Sequence, residues 1–445
     1  MNELFSAYEG EPLYIQLYMY YRDRIISGNM KYGDKLPSIR KCSAEFNISK
    51  MTVESAYMQL CAEGYVFPKS QSGYYVSKIS DLPKGSVGII DDEDVEANDK
   101  PLYDLSGSSA DSECFDFKVW QKYIKNALRC EDRLLSYGEF QGEYDLRKAL
   151  SDYASKQRGV VCSPSQIVIG ASVQNLLQIL CSLNDKRSSV VSSGSRFRQG
   201  RAVFEDYGYK IYSKLDDYDG QDDVSFIYVS PSHYNGYDIM GISERINLLN
   251  FAREHDAIVI EDDFDSEFCY FARPVPSLQG LDRGEHVAYI GTMSRLLLPS
   301  IRISFMVLPQ KLLKAYRQKG RLYNQTASKT EQIALARYIS DDRLTAQIRK
   351  ARKIYEEKTE LMKSAIENEL NPRSVEVSDS GFIIKFELFC QKNIEEIEFK
   401  LKQTKVSVKA IQQVEQNSLR VFVSSAGVSK NDVISSVKML KLTLK

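Results

Sequence analysis

From Ile167 to Leu308 the sequence alternates brief β-branched runs with stretches of helix length, and this rhythm restricts the fold more than any other property of the chain. Ile167 to Ile169, Ser189-Val190-Val191, Ser225 to Val229, Ala257 to Ile260, Val287 to Ile290 and Ile303 to Leu308 are too short and too apolar for surface helices. Segments such as Val173 to Leu183 between them have helical spacing, as do Val119 to Leu128 and Leu146 to Lys156 upstream. Strands buried on both faces and separated by helices predict an α/β architecture with a mostly parallel sheet. After Pro309 the pattern changes to long helices, one spanning about Thr330 to Asn368, with short strands near Phe382 to Phe386 and Leu419 to Val423. That change predicts a smaller α+β domain over about 310–445, beside a large domain over about 120–310.

A second break lies near residue 80. Between Ser80 and Lys100 stand seven acids (Asp81, Asp91, Asp92, Glu93, Asp94, Glu96, Asp99) and two lysines, with Pro83, Gly85 and Gly88 among them. Such a stretch buries nothing and reads as a solvated linker over 80–102, dividing an N-terminal domain (1–79) from the body (103–445). The whole chain balances 59 Lys plus Arg against 60 Asp plus Glu, so a polyanionic partner has to be met by a local patch. Arg22 to Lys78 supplies one, with nine basic residues against five acidic ones. The eight cysteines include no Cys-x-x-Cys pair, which argues against a zinc site or a disulfide framework and for reduced thiols. Without an apolar leader or a run of about 18 apolar residues, the expectation is a cytoplasmic protein with no membrane partner.

Residues 12–78 spell out three helices and a hairpin. Pro12 suits a first helical turn, and Leu13, Leu17, Tyr20 and Ile25 trace one face up to Gly28. Ser38 can cap a short helix to Phe46, and Ser49 a third in which Val53, Ala56, Tyr57 and Leu60 share a face until Gly64. Tyr65 to Phe67 and Tyr74 to Ser77 then form a hairpin through Ser72-Gly73. The set Pro12-Leu13-Tyr14 with Gln16-Leu17, Gly33-Asp34-Lys35-Leu36-Pro37-Ser38-x-Arg40, Thr52-Val53 with Ala56-Tyr57, and Glu63-Gly64-Tyr65 resembles the GntR-type winged helix-turn-helix. That resemblance implies double-stranded DNA as partner, the third helix in the major groove, and Ser38, Arg40, Lys50, Thr52 and Gly73 at the interface. Lys50 stands where the family more often has arginine, so it lacks the planar fork for reading a base at two points.

The body has its own ordered motifs: Tyr137-Gly138-x-x-Gln141-Gly142, Arg158-Gly159-Val160, Gly170-Ala171-Ser172, Pro231-Ser232-His233, Glu261-Asp262-Asp263-Phe264-Asp265-Ser266, Leu278-Gln279-Gly280 and Gly291-Thr292-Met293-Ser294-Arg295, with Arg302 seven residues on. These resemble the fold-type-I aminotransferase-like domain of MocR-type regulators, which join it to a GntR head. The resemblance implies roles in binding a cofactor or effector. Gly170, Ala171 and Ser172 would open a helix toward a phosphate, and Thr292, Ser294 and Arg302 would ligate it. Asp262 would pair with a pyridine nitrogen, His233 would flank the ring, and Arg420 would bind a carboxylate.

Departures from the pattern gather at the catalytic centre. Arg295 occupies the Schiff-base lysine position, and a guanidinium with a pKa above about 12 cannot lose the proton that attack on a carbonyl requires. Phe264 replaces a tyrosine, and the loop after Val191 carries Arg196 and Arg198 in place of its expected pattern. The combination predicts a transcriptional regulator that is not an enzyme. Its body would dimerise, head to tail as the resemblance implies, and sense a small anion, with pyridoxal phosphate held non-covalently or not at all and no metal. The alternative, a working pyridoxal-phosphate aminotransferase, requires a different amine, and none stands out in the motif. A body that only dimerises would have no need of Asp262, Arg302 and Arg420.

Overall fold

The computed structural model describes residues 10–78, 101–107, 113–185, 188–193, 198–234, 239–264, 266–268, 275–415 and 417–444. The chain separates into two units, Met1–Ala97 and Asn98–Lys445. Residues 80–100 of the expected linker lie outside the described residues. Leu102, its last residue, donates its N–H to the Lys405 carbonyl at 2.7 Å, so the body's ordered backbone already includes it.

In the first unit, helices α1 (Leu13–Ile26), α2 (Ile39–Phe46) and α3 (Lys50–Ala62) precede the antiparallel strands β1 (Val66–Lys69) and β2 (Gly73–Val76). Local chemistry sets the boundaries. The Ser38 hydroxyl accepts the Lys41 N–H, the Ser49 hydroxyl accepts the Thr52 N–H, and Asn47 takes a left-handed φ of 52° to turn α2 into α3. Leu17, Tyr21, Cys42, Val53, Tyr57, Leu60, Val66 and Val76 close one core, and the Tyr57 hydroxyl donates to the Pro37 carbonyl at 3.0 Å.

The second unit contributes β3 (Tyr103–Leu105), β4 (Ile167–Gly170), β5 (Ser189–Ser193), β6 (Lys210–Tyr212), β7 (Val224–Val229), β8 (Ile258–Asp263), β9 (Val287–Thr292) and β10 (Ser304–Val307). It continues with β11 (Ser374–Val377), β12 (Ile384–Phe389), β13 (Val406–Val408), β14 (Ala410–Glu415) and β15 (Ser418–Val423). Seven strands form one sheet in the order β4-β10-β9-β8-β7-β5-β6, parallel from β9 through to β6, with β10 antiparallel to both its neighbours. A smaller antiparallel sheet runs β11-β12-β15-β14. This is the α/β arrangement expected, with one reversed strand inside the parallel set.

Three features differ from expectation. The segment about Thr330 to Asn368 is two helices, Lys329–Ser340 and Arg343–Leu370, because Asp342 takes a left-handed φ of 55° while Asp341 accepts the Tyr123 hydroxyl at 2.6 Å. The apolar spacing continues across the break and so conceals it. Helix Lys329–Ser340 packs on Phe117–Leu128 and Tyr144–Arg158, so the large domain's core runs past residue 310. Finally, β3 pairs in parallel with β13, tying the start of the body to its C-terminal part.

Candidate functional site

In the N-terminal unit the expected contact residues lie on two helix starts and a hairpin. Arg40, in the first turn of α2, and Lys50, the first residue of α3, are both exposed. Neither has a hydrogen bond or ion pair among the described residues. Ser38 and Thr52 have structural duties as well: Ser38 caps α2, and the Thr52 hydroxyl lies 2.7 Å from the Ser49 hydroxyl. Gly73 opens β2 with φ +111°, a conformation that suits glycine and leaves backbone uncovered at the turn. Beside it, the Lys35 and Lys69 ammonium groups stand 5.7 and 5.9 Å from the Tyr75 ring centroid, and Phe67 stacks on that ring. The wing is therefore cationic, and Tyr75's phenol lies below its ordinary pKa through the Ser72 hydrogen bond and the two lysines.

In the body, the register of the large sheet collects the expected residues at one edge. Ser304 of β10 faces both Gly170 of β4 and Thr292 of β9, and Asp263 of β8 faces Gly291. Gly170 is needed for close packing, since a Cβ there would sit 2.7 Å from Asn175 Oδ1 and 2.9 Å from a Leu176 methyl. The anion-directed groups differ in how free they are. The Ala171 N–H donates to Thr326 Oγ1 at 3.0 Å, and the Ser172 hydroxyl caps its helix through the Asn175 N–H. Ser294 donates to the Ile301 carbonyl at 3.0 Å, and Thr292 accepts from Ser304 at 3.2 Å. Arg302 is exposed, with no hydrogen bond or ion pair among the described residues. Arg198 is likewise exposed, while Arg196 and the side chain of His233 lie outside what is described.

Asp262 is half-buried and accepts the Tyr228 hydroxyl at 2.5 Å, and Phe264 is also half-buried. Behind them Asp263, Glu261 and Glu267 form a buried acidic set. Burial would raise Asp263, but Arg158 at 2.7 Å, Ser266 and the Tyr289 hydroxyl hold its carboxyl below the usual range. Glu261 and Glu267 are pushed up to about 7, first by burial and then by the charge on Asp263. Glu261 accepts the N–H groups of Leu278 and Gln279, so it anchors the turn that carries Leu278-Gln279-Gly280.

Arg295 is engaged by a hydrogen bond and by an aromatic ring. It donates to the Gly107 carbonyl at 2.6 Å, and its guanidinium carbon lies 4.9 Å from the centroid of the Phe382 ring. Gly107 has φ +70°, and a Cβ there would meet Ser424 at 2.8 Å. Arg295 thus pins the β3 segment and Phe382 to the end of β9. Arg420 lies on β15 opposite Glu387 of β12. Two of its nitrogens reach Glu387 Oε1, at 2.8 and 2.5 Å. A carboxylate of the chain itself occupies the group expected to bind one.

Arg295 itself cannot hold pyridoxal phosphate as a Schiff base, because a guanidinium does not lose the proton that attack on a carbonyl requires. No amine stands at position 295, and the arginine there is committed to Gly107 and Phe382.

Residues 13–76 match the family described as bacterial regulatory proteins, gntR family, and residues 238–437 match aminotransferase class I and II. The chain is 35% identical to the uncharacterized HTH-type transcriptional regulator YdeL of Bacillus subtilis, over 98% of its own length and 97% of that protein's. The chain belongs to the MocR-like HTH-type regulators. The probable rhizopine catabolism regulatory protein MocR of Rhizobium meliloti is 28% identical, over 78% of this chain and 76% of that one. Among solved structures, an archaeal alanine:glyoxylate aminotransferase matches with a TM-score of 0.67 at 22% identity, covering 77% of this chain and 90% of that one, a likeness of fold.

Several residues of this MocR-like chain escaped sequence reasoning. Lys35 and Lys69 both reach the Tyr75 ring, the first through a bridge from the segment before α2 and the second across the hairpin, and an Arg420–Glu387 pair needs the register of β12 on β15. Lys358 is fully buried on helix Arg343–Leu370, its ammonium 5.7 Å from the Tyr355 ring, which packs on Phe382. A lysine in an amphipathic helix ordinarily signals a solvated face. Asp282, Glu285 and His286 also cluster, but Asp282 already accepts the N–H groups of His286 and Val287. No described helix is long and apolar enough to cross a membrane.

Proposed function

We propose that this protein binds double-stranded DNA through its head and regulates transcription in response to a small anion held non-covalently by its body, without catalysing a reaction. The observation that carries the reading is a contrast in availability. Arg40 and Lys50 are exposed at two helix starts with no hydrogen bond or ion pair among the described residues, whereas Arg295, where the resemblance would put the Schiff-base lysine, is hydrogen-bonded to Gly107 and lies against Phe382. Charges left unpaired on a surface are available to phosphates, whose neutralisation releases counterions and supplies affinity.

Arg302, near the Thr292 hydroxyl at the end of β9, is the place for the anion, since a planar guanidinium suits a phosphate or carboxylate. An anion shifts DNA affinity only as far as it binds the DNA-competent arrangement more tightly. Dimerisation through the body is supported by the large exposed side chains Leu135, Tyr137, Leu322 and Tyr323.

The test uses the full chain. It should retain duplexes from a random library, with affinity falling steeply as salt rises. With pyridoxal phosphate added, it should show no absorption band of a lysine-bound cofactor. Failure to retain any duplex would overturn the regulator reading, and such a band would overturn the non-catalytic one.

A further inference from the structure

We propose that Met51 reads one thymine in each DNA half-site through that base's C5 methyl group. The inference rests on the head being a duplex-DNA reader and adds which base chemistry it selects.

Met51 is the second residue of α3 and is 76% exposed. The inner face of α3 is complete without it, because Val53, Ala56, Tyr57 and Leu60 are each fully buried. Met51, Glu54, Ser55 and Met58 remain on the outer face. A lone exposed methionine is ordinary on a protein surface. This one sits next to Lys50 in the first turn of the second helix of a helix-turn-helix, the part that reaches base edges.

Its neighbours restrict what it meets. Lys50 and Arg40 are exposed cations with no hydrogen bond or ion pair among the described residues, and they suit phosphates on the groove walls. Glu54, one turn beyond Met51 on the same face, is exposed and anionic, so laying α3 flat along a phosphate strand would set like charges together. The favourable pose is therefore end-on, with the first turn of α3 deepest in the groove. A thioether there has no hydrogen bond to give a base edge. The one apolar feature of the major groove is the thymine methyl, and methionine's flexible, polarizable chain suits contact with it.

The test starts from duplexes that the full chain selects from a random library. Each thymine is replaced in turn by uracil, which removes the C5 methyl and nothing else. At one position per half-site the replacement should weaken binding about four-fold, the effect of leaving one methyl-sized group unburied. Met51→Ala should bind the thymine and uracil duplexes alike at that position while still discriminating elsewhere, and Met51→Leu should retain part of the difference. A uracil penalty that persists unchanged in Met51→Ala, or none at any position in the wild-type chain, would overturn the proposal and leave DNA binding intact. If the full chain binds no duplex at all, the regulator reading falls with it.

Discussion

The two units handle polar side chains in opposite ways. In the head, Arg40 and Lys50 point outward and the capping hydroxyls of Ser38 and Ser49 order the helices behind them. In the body, most groups that an aminotransferase-like site would aim at a ligand are turned to partners within the chain: Asp262 to Tyr228, Arg420 to Glu387, the Ala171 N–H to Thr326, Arg295 to Gly107 and Phe382. Where charges are unpaired, binding energy remains available. Where they are paired internally, the same residue types hold the fold together. A shared family motif therefore identifies an architecture, and the pairing of its side chains decides what each can still do.

The largest effect that would sharpen this contrast lies in the buried acidic set. Arg158→Ala should leave Asp263 charged and buried without its cation, lowering the body's stability by roughly 3–5 kcal/mol in denaturant unfolding. An unchanged unfolding midpoint would show that Asp263 does not depend on Arg158.

Next come the head's cations. Arg40→Ala and Lys50→Ala should each weaken duplex binding about ten-fold and reduce the slope of log affinity against log salt by about 0.9, with stability altered by less than about 0.5 kcal/mol. A loss of stability in place of affinity would break the comparison, because the head's charges would then be structural like those of the body.

Arg295→Ala removes one N–H···O bond and one cation–π contact, so a loss of roughly 1–2 kcal/mol in the body's unfolding is expected. No loss would mean that the Gly107 and Phe382 contacts contribute little. Glu387→Gln should cost under about 1 kcal/mol, since that pair is partly solvated. By freeing Arg420 it should also raise the affinity for a small carboxylate measured by calorimetry. An unaltered affinity would show that Arg420 takes no part in anion binding.

The smallest effect is a slope. Glu261 and Glu267 are raised from an ordinary 4.5 to about 7, so the folded body binds more protons than the unfolded chain between those values. Their contribution is present in full below about pH 4.5 and is lost as pH rises through 7. Asp263, held low, works in the opposite sense: its contribution is present in full above the ordinary 3.8 and is lost as pH falls through its folded value. Thermal midpoints should therefore decline from pH 5 to 7, and Glu267→Gln should make the decline shallower. The same slope in wild type and variant would remove Glu267 from the account.

Much of the architecture was readable from local rules. The strand positions followed from runs such as Ser225 to Val229 and Val287 to Ile290, which are mostly apolar because helices cover the sheet on both faces. The head's helix starts followed from Ser38 and Ser49, since a capping hydroxyl satisfies an N–H only a few residues away. β6 was missed, being three residues with only one of them buried, and so was the Asp341–Asp342 break, which leaves the apolar period intact.

The site divides along the same line. Which groups stand at the end of β9, and that Arg295 cannot form a Schiff base, follow from covalent chemistry and adjacency along the chain. Which of those groups are still free does not. Glu387 meets Arg420 across 33 residues, Gly107 meets Arg295 across 188, and Thr326 meets Ala171 across 155. Pairings at such separations are set by strand register and loop closure. Residue types and short-range order were therefore determined by the sequence alone, and the tertiary fold decided which charges remain available to a ligand.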